Sequence, residues 1–66
     1  LNSNEGIITS ATVTINSAPA VNSTKLFILH QGTKINISNE EQNNWAEIQI
    51  ANGNSGWIKT SDFEKI

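Results

Sequence analysis

The stretch Trp45-Ala46-Glu47-Ile48-Gln49-Ile50-Ala51-Asn52-Gly53-Asn54-Ser55-Gly56-Trp57-Ile58 decides the fold. Ala46, Ile48 and Ile50 recur at spacing two, with Trp45, Glu47 and Gln49 between them. That is the period of a strand with one face in a core and the other in water. Asn52-Gly53 follows, the dipeptide favoured where a tight turn needs positive φ at both central residues. Ser55 to Ile58 then returns as a second strand, so the segment reads as a β-hairpin closed by a type I′ turn. Counting back from such a turn sets Ile48 opposite Trp57. That places Trp57 across from an inward residue, so a bulge or a longer loop must intervene.

The same period runs outward in both directions. Ala11, Val13 and Ile15 alternate with threonines, and Ile35 and Ile37 alternate with Lys34, Asn36 and Ser38. Leu26-Phe27-Ile28-Leu29 is a continuous apolar run whose length favours a buried strand over a helix. Asn16-Ser17-Ala18-Pro19 starts a loop, Gln31-Gly32 precedes a strand, and Asn39 to Asn44 reads as a polar connector. Thr60-Ser61-Asp62 suits one turn of 3₁₀ helix before a last short strand from Phe63 to Ile66. No segment carries a helical stripe. The expectation is an all-β fold of five to six short antiparallel strands, closed as a small barrel that removes exposed edges. Residues 1–5 read as a disordered lead-in and residues 6–66 as the domain.

Size and charge bound the function. The chain has 66 residues, enough for one domain and one small core. It contains no cysteine, so packing and pairing must stabilise it. The net charge is −2, with four lysines and no arginine. That balance argues against nucleic acid and against direct contact with an anionic membrane. The first residue is leucine, which suggests a piece of a longer chain.

Catalysis needs a nucleophile beside a base, paired carboxylates or a metal. His30 is the one imidazole, and its place before Gln31-Gly32 suits a polar strand end. Glu40-Glu41 is an acidic pair read as a solvated loop tip, because adjacent loop residues do not converge on one reacting atom. Asn52-Gly53-Asn54 falls short of a calcium loop. The expectation is a non-catalytic domain with no metal and no cofactor.

The ordered set of features resembles the bacterial SH3 (SH3b) family. That family shows a first strand running into a Ser-x-Pro loop, an apolar stretch ending in Gly, a Trp-x-x-Val strand, a Gly turn, Gly-Trp-Val and an apolar closure. Here these read Val13-Thr14-Ile15-Asn16-Ser17-Ala18-Pro19, Leu26 to Gly32, Trp45-Ala46-Glu47-Ile48, Asn52-Gly53, Gly56-Trp57-Ile58 and Phe63 to Ile66. Ile15-Asn16 departs from the Val-Arg of many members, which removes a charge from that position. Phe27 to Lys34, followed by Trp45-Ala46-Glu47-Ile48 and Ala51 to Asn54, also looks like the C-terminal domain of one group. These are the tetratricopeptide-repeat membrane proteins of the Bacteroides aerotolerance (Bat) operon.

The resemblance implies a small SH3-like barrel that binds a protein or peptide partner. It further implies a monomeric module on the periplasmic side of a membrane-anchored parent in the cell envelope. An alternative partner is the peptide of peptidoglycan, since many SH3b domains of hydrolases are thought to hold stem or bridge peptides. The candidate groove residues are Trp57, Trp45, Phe27 and Pro19. The tryptophans either plug the barrel ends or line a groove, as aromatic rings do for peptides. The tyrosine ladder that eukaryotic SH3 domains use for proline-rich ligands is missing, because the chain contains no tyrosine.

Overall fold

A computed structural model describes residues 4–40 and 43–66. It contains seven strands: β1 (Glu5–Ile8), β2 (Thr12–Asn16), β3 (Lys25–His30), β4 (Lys34–Glu40), β5 (Trp45–Gln49), β6 (Ser55–Lys59) and β7 (Phe63–Lys65). One 3₁₀ turn, Thr60–Asp62, precedes β7. All strands pair antiparallel in one sheet, in the order β3-β2-β6-β5-β4-β1-β7. The all-β fold, the hairpins and the 3₁₀ turn follow the sequence pattern.

Alternation decides the core. Val13, Ile15, Leu29, Ile35, Ile37, Ala46, Ile48 and Ile58 are buried and form one cluster with Ile8 and Phe63. Leu29 lies on β3 and Phe63 on β7, the two ends of the sheet. In a flat sheet of this order they would stand roughly 29 Å apart, at about 4.8 Å per strand. Their membership of one cluster therefore requires the sheet to coil around its own apolar face. The molecule measures 35 × 24 × 21 Å.

Coiling stops short of closure. β3 and β7 do not pair, so the sheet keeps two edges where a fully closed barrel was expected. A second difference is β1. Glu5, which the sequence pattern places in the lead-in, opens a strand flanked by β4 and β7. Glu-Gly-Ile-Ile has no alternation to announce a strand; pairing on both sides imposes the extended form. Residues 1–3 lie outside the described residues.

The decisive hairpin also differs in one respect. Gly53 takes φ 93, but Asn52 does not enter the positive region, so the turn is not type I′. Gly53 N–H donates to Ile50 C=O, and Ile50 N–H donates to Asn54 C=O. This is a three-residue loop with glycine at its left-handed position. The extra residue shifts the register by one. Gln49 faces Ser55, Ile48 faces Gly56 and Glu47 faces Trp57. The longer loop required by the position of Trp57 is thus present.

Ile48 opposite Gly56 has a packing reason. A Cβ on Gly56 would strike Ile15 Cγ2 and stand 2.9 Å from the Asn16 carbonyl oxygen. β2 crosses closely over β6 at this point, where Asn16 pairs with Trp57. Only hydrogen at position 56 lets the two strands meet.

Candidate functional site

Strand parity sends Trp45, Glu47 and Gln49 to the face opposite Ala46 and Ile48. Trp45 is nonetheless 9% exposed, and it stands outside the apolar cluster of the core. Its indole is buried on the other side of the sheet. There it borders a basin of about 290 Å³ that also touches Thr14, Asn16, Lys25, Lys59 and Asp62. Trp45 and Lys59 also border a second basin with Asn43, Asn44, Thr60 and Ser61. The backbone holds this corner together: Thr60 N–H donates to Asn44 C=O at 2.8 Å. Asn44 sits at φ 67, a left-handed conformation that asparagine tolerates better than most residues.

Asn16 is the one buried polar side chain among the described residues, 5% exposed. Its amide donates to Ala20 C=O at 3.3 Å. Ser23 Oγ donates to the same carbonyl, and Ser17 N–H donates to Thr24 C=O. These bonds fold the loop of residues 17–24 back on itself beside the basin, to which it contributes Val21.

The charges around the basin are uneven. Lys25 and Lys59 both border it, and among the described residues neither forms an ion pair. Lys34 is paired elsewhere, with Glu5 at 3.3 Å. Asp62 supplies the basin's carboxylate, and its Oδ1 already accepts a hydrogen bond from Ser10 Oγ at 2.7 Å. Two lysines, one engaged carboxylate and the edge of a largely buried indole thus line the same basin. The charge of the two lysines suits an anionic group, and the indole suits an adjoining flat or apolar part.

Of the four groove candidates, the basin takes only Trp45. Trp57 is half-buried between Asn16 and Glu47 on the same face, but borders neither basin beside Trp45. Phe27 is half-buried and packs against the core, with its outer part in a separate shallow basin between Leu26 and Ile28. Pro19 is exposed in the 17–24 loop and borders none of these. Asn16, Lys25, Lys59 and Asp62 also line the basin and are not among the groove candidates read from the sequence. The parity of Lys59 with Trp57 was a usable signal. The position of Lys25 was not, since it depends on how β3 lies against β2.

His30 borders none of these basins. His30 is exposed at the end of β3, where its carbonyl accepts from Thr33 N–H. Glu40 belongs to β4 rather than to a loop, and Glu41 lies outside the described residues.

No curated protein matches the chain. A family profile, the bacterial SH3 domain, matches residues 11–64 and so takes in β2 to β6, the 3₁₀ turn and most of β7. With its ordered strands, its Gly56-Trp57-Ile58 crossing and this match over most of its length, the chain belongs to the bacterial SH3 domain family, whose members are small binding modules.

Proposed function

We propose that this domain serves a larger cell-envelope protein as its peptide-holding part, with the basin beside Trp45 as the contact surface. One observation carries the reading. Trp45 is buried apart from the main apolar cluster and borders a basin with two lysines that have no ion pair among the described residues. A tryptophan withdrawn from the apolar cluster contributes little to that cluster and much to a recess. The partner is an extended protein segment that brings a carboxylate to Lys25 or Lys59 and lays an apolar side chain against the indole. The likeness to the Bat-operon proteins supports a membrane-anchored parent with the domain on its periplasmic side.

A second reading has its own support. Peptidoglycan stem peptides are short, carry free carboxylates and suit the same pair of lysines. The two are separated by fluorescence in a Trp57→Phe protein, which leaves Trp45 as the sole indole. Soluble peptidoglycan fragments and the acidic peptide acetyl-Glu-Val-Asp-Val-Glu-amide are titrated in turn. A response to the peptide alone supports a protein partner, and a tighter response to the fragments supports the wall. Silence to both at millimolar concentration removes the basin as a binding site.

A further inference from the structure

The two edges of the sheet are built differently. β7 is three residues long and shows water its charged Glu64 and Lys65. Shortness and charge are the usual protection against stray pairing. β3 is six residues long and pairs only with β2 among the described residues. Its outer face carries Leu26 at 46% and Ile28 at 59% exposure.

The hydrogen-bond phase of β3 is fixed by one contact. Gln31 N–H donates to Ala11 C=O, and β2 and β3 keep that register through Val13 opposite Leu29 and Ile15 opposite Phe27. Antiparallel pairs alternate between bonded and non-bonded. Thr12 opposite His30 and Thr14 opposite Ile28 are therefore the non-bonded pairs. Ile28 turns its N–H and C=O, and His30 its N–H, away from β2 along the open edge, while the His30 C=O already accepts from Thr33 N–H.

We propose that this edge accepts an extended peptide strand, which places an apolar side chain between Leu26 and Ile28 and an acidic residue at Lys25. Backbone bonds to the Ile28 N–H and C=O and to the His30 N–H supply the affinity, and the shallow basin lined by Thr14, Lys25, Leu26, Phe27 and Ile28 supplies the preference. The occupant is a peptide rather than a second copy of the chain. Two exposed apolar side chains fall far short of the roughly 800 Å² per partner buried by stable complexes of folded domains. Its acidity follows from charge: β3 carries no carboxylate, and Lys25 has no ion pair among the described residues. Thr14 and Lys25 border this basin and the one beside Trp45, so a peptide along β3 arrives at the tryptophan.

The test uses acetyl-Glu-Thr-Val-Thr-Val-Thr-amide, its counterpart with lysine in first position, and amide hydrogen exchange of the whole domain. The glutamate peptide is expected to slow exchange at Ile28 and His30 and leave Phe27 and Leu29 unchanged. Ile28→Lys, at an exposed position, is expected to keep the melting temperature and raise the dissociation constant at least tenfold. The lysine peptide is expected to bind more weakly. Unchanged exchange at Ile28 and His30 at millimolar peptide overturns the proposal, as does full binding to the Ile28→Lys protein. A concentration-dependent dimer abolished by Ile28→Lys overturns the choice of occupant. If the Trp45 indole responds while β3 does not, the edge proposal falls and the basin reading stands.

Discussion

Glu47 stands directly across from Trp57 on the β5–β6 ladder. That pairing follows from the three-residue loop at Ala51-Asn52-Gly53, because a two-residue turn would have set Ile48 there instead. The register keeps Ala46, Ile48 and Ile58 on the core face and leaves Trp57 half-buried on the other. Gly53 is its pivot at φ 93. Gly53→Val is expected to cost on the order of 1 kcal/mol or more, since a β-branched residue resists positive φ. In a domain this small that lowers the melting temperature by about 4–8 °C. An unchanged melting curve would remove the turn from the account.

Gly56→Ala tests the β2–β6 crossing. The added methyl meets Ile15 and the Asn16 carbonyl oxygen, and a backbone atom cannot swing aside. The expected loss is about 1–3 kcal/mol, the usual range for overpacking. Chemical denaturation checks it, and a stability equal to wild type would mean that the two strands stand further apart.

Asn16→Ala separates loop order from core stability. Removing the amide frees the Ala20 carbonyl from one of its donors and leaves the apolar cluster untouched. Faster amide exchange is expected across residues 17–24, with a global loss of about 1 kcal/mol, the net worth of one hydrogen bond. Equal exchange in loop and wild type would show that Ser23 and the backbone hold the loop alone.

Much of this was legible because period-two alternation reports burial directly. Val13, Ile15, Ile35, Ile37, Ala46, Ile48 and Ile58 all point where their parity says. β1 was not legible, since Glu5-Gly6-Ile7-Ile8 becomes a strand only through partners far along the chain. The open edges were equally hidden, because closure depends on how far the sheet coils. For the site, parity placed Trp45 on the outer face but did not show that it is buried there. Nor did it bring Lys25 and Lys59 to one basin, which requires β3 and β6 to flank β2. Four residues chosen for aromatic or loop character therefore scattered, and the charged neighbours of Trp45 became visible only in three dimensions.

The charge reading of the basin gives its own expectation. Lys25→Glu and Lys59→Glu should each weaken an acidic ligand about threefold or more, with a larger effect at low salt. Isothermal titration at two ionic strengths checks it. Equal affinities in both variants would show that the lysines play no part.

The most direct test of the binding basin is an amide and indole NMR titration of the intact domain. Soluble peptidoglycan fragments and the acidic pentapeptide are added separately. For at least one of them, the account predicts shifts at the Trp45 indole and at the amides of Asn16, Lys25 and Lys59, with β4 unmoved. A silent spectrum at millimolar concentration of both, or shifts confined to residues away from Trp45, would contradict it.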